Sequence, residues 1–163
     1  AEVAALVAEP GRRCFSLRLA DRFGDHGLVV AVIGDICAEA GGPVFAIDTW
    51  VMSCRVLKRQ VEDVTLNEIL RLAAAAGCRR VRGRYIPSGR NQLVADLYPR
   101  LGFRAMEDAA GEGAVAQADA RAPGQEGAVD YELEVAGFQP LATAITVRRE
   151  GAGEAPVARK DPP

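Results

Sequence analysis

Two hydrophobic periodicities divide this chain, and the change between them at Val61 limits the folds open to it. Cys14-Phe15-Ser16-Leu17-Arg18-Leu19 alternates apolar and polar, as a half-buried strand does. Leu28 to Ile36 is a nearly continuous apolar, β-branched run, the pattern of a central strand. Asp21 to Gly27, rich in Gly and Asp, turns the chain between them. Ala38 to Pro43 makes the next turn, and Val44 to Cys54 reads as a third strand, completing an antiparallel meander. Beyond Val61 the spacing becomes helical. Leu66, Ile69, Leu70 and Ala73 fall at i, i+3, i+4 and i+7, on one face of a helix reaching Ala76, with Gly77 as its C-cap.

The second half repeats the alternation of types. Arg79 to Tyr85 is a strand with Val81 inward, and Pro87-Ser88-Gly89 leads into a second helix burying Leu93, Val94, Leu97 and Leu101. Pro99 removes a backbone donor near the end of that helix, and Gly102 stops it. Phe103 to Glu107 and Val129 to Val135 read as a closing strand pair. The order β-β-β-α-β-α-β-β predicts an α/β (α+β) fold: a mixed, mostly antiparallel sheet with helices on both faces. Residues 1–150 are expected to form one domain. Asp108 to Gly127, without periodicity, is expected to be mobile, and the tail 151–163 disordered. Glu2 to Glu9 reads as the end of a helix without an N-cap, which predicts a fragment whose first strand is missing.

Composition excludes several classes. The net charge of −2 argues against nucleic acid as the main partner. No apolar run approaches a membrane span; Gly27 to Ile33 has only strand length. The four cysteines are scattered without a CxxC pair, and there is one histidine, so no metal site is expected. Unpaired thiols fit a reducing, cytoplasmic setting.

Chemistry concentrates in two segments. The first runs from Asp48 through Ser53-Cys54-Arg55-Val56-Leu57-Lys58-Arg59-Gln60 to Val61, a strand end followed by a basic loop and a helix start. Backbone N–H groups of such a loop and the positive end of the helix dipole bind anions. Arg55, Lys58 and Arg59 add charge, so Arg55, Leu57, Lys58, Arg59, Gln60 and Val61 are candidates to seat a diphosphate or a phosphopantetheine arm. The same loop also reads as a solvated basic turn.

The second segment is Asn91 to Phe103, with Asn, Ala and then Leu-Tyr-x-x-Leu-Gly-Phe. It resembles the second cofactor-contacting motif of GNAT acyltransferases. The resemblance implies that Tyr98 protonates a leaving thiolate and that Asn91 helps hold cofactor or substrate. Read from the residues alone, Tyr98 can equally pack on the helix face and Asn91 start the helix. The family's first motif, Arg/Gln-x-x-Gly-x-Gly/Ala, aligns with Arg55 to Gln60, but Lys58 and Gln60 stand at both small positions. Their bulk, and the acidic Glu62 and Asp63 in the first helical turn, work against tight coenzyme A binding.

A narrower resemblance covers residues 15 to 103. Arg22 to Val29, Ile47 to Leu57 and Tyr85-Ile86-Pro87 look like the C-terminal region of FkbH-like proteins, where a HAD-type phosphatase domain precedes a GNAT-like one. That family loads a glyceryl group from 1,3-bisphosphoglycerate onto an acyl carrier protein for polyketide synthesis. The resemblance implies a carrier protein as partner, with a phosphatase half upstream in the parent chain that would use magnesium. In that light Cys54 is a candidate nucleophile, its thiolate favoured by Arg55 and the helix N-terminus. Asp48 and His26 are candidate bases. The structural alternatives are a packing role for Cys54, an ion pair between Asp48 and Arg55, and a turn position for His26. Three functions are therefore expected: a glyceryl or acyl transferase acting on a carrier thioester, an acetyl-coenzyme A N-acetyltransferase, or a non-catalytic carrier-docking module.

Overall fold

A computed structural model describes residues 11–106 and 127–150. The expected helix end at Glu2 to Glu9, the expected mobile stretch from Asp108 up to Gly127 and the expected tail 151–163 lie outside the described residues.

Strands β1 (Arg12–Asp21) and β2 (Gly24–Cys37) form a hairpin around Arg22 and Phe23. Its turn is tied by side-chain acceptors: Asp21 Oδ1 takes the Phe23 N–H at 2.7 Å, and Asp25 Oδ1 takes the Gly27 N–H at 2.7 Å. β3 (Val44–Met52) continues the expected antiparallel meander. Helix α1 (Val61–Ala75) follows. It ends in a Schellman motif, with Gly77 left-handed at φ 73°, its N–H on Ala74 and the Cys78 N–H on Ala73. β4 (Arg80–Tyr85) lies parallel to β3, the one parallel pair in the sheet. A short helix α2 (Leu97–Arg100) and strands β5 (Arg104–Ala105) and β6 (Val129–Glu134) complete the order β1-β2-β3-β4-β6-β5.

The sheet has one apolar and one polar face. On the apolar face Val30, Val32, Phe45, Ile47, Val81 and Tyr131 join Leu66 and Ile69 of α1 and Leu97 and Tyr98 of α2 in a single core cluster. Helices on both faces were expected; among the described residues both helices feed this one cluster. The register of β4 and β6 puts Arg82 opposite Glu132 and Arg84 opposite Asp130 on the other face. There Arg80 and Arg82 bridge Glu39 and Glu132, and Arg84 binds Asp130 through two bonds of 2.6 and 2.9 Å.

Three boundaries differ from the sequence reading. β3 stops at Met52, and Cys54 begins a single 3₁₀ turn, Cys54–Val56, so it is not a strand residue. The second helix is not continuous: a 3₁₀ turn at Gln92–Val94 precedes the four residues of α2. Pro99 has no N–H to give Ala95, and its ring crowds that carbonyl, which disfavours a continuous α-helix from Asn91. Leu93, expected in the core, is 73% exposed. The strand expected over Phe103 to Glu107 shrinks to Arg104–Ala105, with Phe103 in the core instead.

From Val135 to Glu150 the chain has no regular structure but is strapped along α1. Asn67 gives its amide to Leu141 O at 2.9 Å and accepts the Leu141 N–H at 2.8 Å. Gln60 Oε1 accepts the Ala144 N–H at 2.8 Å, and Arg149 binds Glu68. Phe138, Leu141 and Ile145 pack against the core beneath these ties.

Candidate active site

The sheet is interrupted between β3 and β4. The two strands pair only from Val44 to Ala46 and from Arg80 to Arg82. β3 runs on to Met52 and β4 to Tyr85, and these outer portions pair with β2 and β6 respectively, not with each other. Pairing therefore ends in a notch in the ladder beyond Ala46 and Arg82. Among the described residues, the backbone groups of β3 that would have met β4 have no strand partner there.

Tyr98 borders this notch. α2 lays its ring on the backbone of Gly83 in β4, so close that a β-carbon there would collide with the ring. The ring stacks on Tyr131 at 5.2 Å and meets Phe103 and Trp50 edge-on at 5.0 and 6.1 Å. The hydroxyl of Tyr98 makes no hydrogen bond among the described residues. Burial pushes its phenol up to about 12, so it stays protonated across the ordinary pH range. Trp50 reaches Tyr98 from the unpaired part of β3, and its buried indole Nε1 likewise has no partner among the described residues. Two donors without acceptors thus stand beside the notch.

The basic loop lies where β3 leads into α1. Lys58 and Gln60 are left-handed, at φ 61° and 66°, the only non-glycine residues of the described chain with positive φ. These are the two positions at which the GNAT motif has small residues. The loop thus has a backbone suited to glycine at both, at a strain of roughly 1–2 kcal/mol each for side chains with a β-carbon. Arg55, Lys58 and Arg59 are exposed. The Lys58 N–H, however, is taken by Glu62 Oε1 at 2.6 Å, and the Glu62 side chain is almost fully buried with Arg100 at 3.4 Å. Val61 is a core residue, and the side chain of Gln60 is engaged by Ala144.

The other predicted residues fall into different surroundings. Cys54 is an exposed free thiol, and the Arg55 guanidinium expected to activate it hydrogen-bonds Ser53 Oγ at 3.4 Å. Asp48, expected to be a partnered carboxylate in an apolar strand, is exposed and accepts only the neighbouring Thr49 hydroxyl at 3.0 Å. It sits at a bulge, where the register jumps from Ile33 opposite Thr49 to Gly34 opposite Ile47. His26 lies toward the β1–β2 turn, with Nε2 at 3.0 Å from Asp21 Oδ2. The imidazole bond and the Phe23 N–H hold the Asp21 carboxyl below its usual range. Asn91 closes the loop after β4: its Oδ1 accepts from Ser88 N–H and Tyr85 OH, and its amide donates to Ile86 O. Its side chain is committed to the loop and not turned to a ligand.

Sequence reasoning missed Gly83, Trp50 and Arg100. For Gly83 the signal was a glycine in the middle of a strand, which marks a close approach. A cavity of about 230 Å³ between α1 and the C-terminal strap is lined by Asn67, Glu68, Arg71 and Arg149. Glu68 is already met there by both arginines, so this space is a seam between segments rather than a reaction site.

No family model matches the sequence, and no curated protein matches it. Solved structures do resemble the fold. The GNAT domain of PAT from S. lividans superposes with a TM-score of 0.55 at 15% identity, covering 82% of this chain and 67% of that one. An acetyltransferase of Bacillus subtilis in complex with CoA gives 0.52 at 14%, covering 82% of each. Spermidine N-acetyltransferase SpeG from Vibrio cholerae gives 0.52 at 13%, covering 82% and 72%. At these identities the likeness speaks for architecture alone: the chain has the fold of the GNAT acetyltransferases.

Proposed function

We propose that this chain is an acyltransferase domain that takes a pantetheine-borne acyl thioester into the notch between β3 and β4. The observation that carries the reading is the placing of Tyr98 on Gly83 and against Trp50 beside that notch, its hydroxyl without a partner among the described residues. An extended pantetheine arm, with its two amides, suits the unpaired edge of β3 as a short added strand. The thioester carbonyl would meet backbone N–H groups of the same edge, which stabilise the charge that develops on its oxygen.

In the transfer, the acceptor attacks the acyl carbon, the C–S bond breaks, and sulfur leaves as thiolate. A free thiol has a pKa of about 8.5, well below that of the Tyr98 phenol. Tyr98 therefore acts chiefly by hydrogen-bonding the departing sulfur, and the proton lost by the acceptor ends on that sulfur.

For the acyl group and its carrier, the resemblance over residues 15 to 103 supports a glyceryl thioester on an acyl carrier protein. 1,3-Bisphosphoglycerate would supply the activated glyceryl group, and a HAD-type phosphatase domain in the parent chain would remove its remaining phosphate. The alternative, acetyl-coenzyme A-dependent N-acetylation, draws on the neighbour bound to CoA. A covalent route through Cys54 is the second mechanism, favoured by the exposure of its thiol one residue beyond β3 and Ser53.

The test is intact-protein mass and product formation with a glyceryl-loaded pantetheine thioester as donor and the thiol of an acyl carrier protein as acceptor, for wild type, Tyr98→Phe and Cys54→Ala. Transfer lost in the tyrosine variant and kept in the cysteine variant supports direct transfer. A glyceryl adduct on wild type but not on Cys54→Ala supports the covalent route. Carrier binding without transfer in any of the three overturns the enzyme reading in favour of a docking module.

A further inference from the structure

The loop between β3 and α1 leads into the positive end of a helix and already holds an anion, the Glu62 carboxylate on the Lys58 amide. We propose that the Glu62 carboxylate occupies the place of a phosphate in this loop and makes Glu62 a specificity-determining residue, selecting against the diphosphate of coenzyme A. The inference rests on the reading of this loop as the seat of the cofactor's phosphate.

Four observations converge on it. Lys58 and Gln60 adopt left-handed conformations despite side chains that resist them, and while the Val56, Leu57 and Arg59 amides donate to loop carbonyls, that of Lys58 does not. The Lys58 amide donates not to solvent but to Glu62 Oε1 at 2.6 Å, the short distance of a charge-assisted bond. Glu62 is only 1% exposed, one turn before Leu66 on the face of α1 that also carries Ile69 and Ala73, so its carboxylate is held inside rather than in water. Arg100, from the end of α2, approaches the same oxygen at 3.4 Å. Glu62 is thus gripped by an amide, a guanidinium and the positive end of α1.

A diphosphate entering this seat would face a buried carboxylate at the amide it needs. Arg55, Lys58 and Arg59 at the rim attract anions but do not free that amide. Coenzyme A brings a diphosphate and a further 3′-phosphate, whereas a carrier-borne arm brings one singly charged phosphodiester. The repulsion falls mainly on the former.

Inorganic pyrophosphate probes the seat without any transfer chemistry. Its affinity is measured by calorimetry and by thermal shift for wild type, Glu62→Ala and Glu62→Gln. Emptying the seat in Glu62→Ala should tighten pyrophosphate at least about tenfold, as expected for gaining hydrogen bonds to a charged group. Glu62→Gln, which keeps the shape and an acceptor but loses the charge, should gain a smaller factor. Wild type binding pyrophosphate as tightly as both variants overturns the proposal. If Glu62→Ala does not fold, equal affinities of Glu62→Gln and wild type overturn it alone. Tyr98→Phe should leave pyrophosphate affinity unchanged in every background, so failure of the transfer reading and failure of this one give different results.

Discussion

The ring of Tyr98 lies on the bare backbone of Gly83, and no residue with a β-carbon can stand at position 83 while Tyr98 keeps its place. The contact joins α2 to β4 and fixes the hydroxyl of Tyr98 beside the divergence of β3 and β4. Gly83→Ala should therefore act on the site before it acts on the fold. The added methyl displaces the ring at a stability cost of about 1–3 kcal/mol, the range for overpacking a filled core. Transfer activity should fall far more than the loss of folded protein explains. Thermal unfolding and single-turnover transfer measured on one preparation decide it; a stable variant with full activity would remove Tyr98 from the mechanism.

Tyr98→Phe separates chemistry from packing. Because the hydroxyl has no partner among the described residues, its removal breaks no internal hydrogen bond, and stability should change by less than about 1 kcal/mol. The transfer rate should drop about a hundredfold, the usual loss for an acid–base or hydrogen-bonding group. The pH dependence has a definite sign. Burial raises the phenol from 10.0 to about 12, so between these values the unfolded chain loses a proton that the folded chain keeps. Stability should fall as pH rises through that window, by up to about 3 kcal/mol. Urea unfolding at pH 9 and pH 11 should show a smaller loss in Tyr98→Phe than in wild type; identical losses would place the phenol in contact with water.

How much of this was legible before folding depends on whether the determinant was local. α1 was, because Leu66, Ile69, Leu70 and Ala73 repeat along one face and Gly77 supplies the left-handed stop. The meander was, because each strand has its own alternation and turn. Part of the break before α2 was also present in the sequence, since Pro99 forbids the bond to Ala95, but the exposure of Leu93 six residues earlier was not. The Glu62 carboxylate was not legible as a plug, since its burial needs Arg100 from a helix 38 residues away. Asn91 gave a motif-like signal, but its amide and carbonyl are spent on Ser88, Tyr85 and Ile86. The segment after Val135 has no periodicity at all. It is held by individual side chains, Asn67 and Gln60, that satisfy its backbone in place of a strand.

Cys54→Ala tests a different claim. In the structure the Arg55 guanidinium turns to Ser53, and the exposed thiol of Cys54 has no hydrogen-bond partner among the described residues. Direct transfer predicts that this variant keeps at least about half of the wild-type rate, since truncating an exposed side chain perturbs the fold little. Mass spectrometry of the quenched reaction checks the same point from the other side, because no acyl adduct should accumulate on wild type. An adduct abolished by the substitution, with transfer abolished alongside, would shift the chemistry to the cysteine.

The C-terminal strap is anchored by charge, and its dependence on pH follows from Glu68. Burial raises the Glu68 carboxyl, but the hydrogen bonds from Arg149 and Arg71 outweigh it and bring the carboxyl below its ordinary value of 4.5. A carboxylate lowered in this way stabilises the fold above its unfolded pKa, and the contribution is lost as pH falls through the folded pKa. Arg149→Ala removes one partner and leaves Arg71. Its melting temperature at pH 7 should lie a few degrees below wild type, and Phe138, Leu141 and Ile145 should become more accessible to hydrogen exchange. The gap should close as pH falls through the folded pKa of Glu68, which lies below 4.5; beyond that Glu68 is protonated in both proteins and neither gains from an arginine. High salt at pH 7 should narrow it too, because the Arg149 end of the pair is open to solvent. A difference that persists undiminished at pH 3 would mean that Arg149 holds the strap through its aliphatic stem and not through its charge.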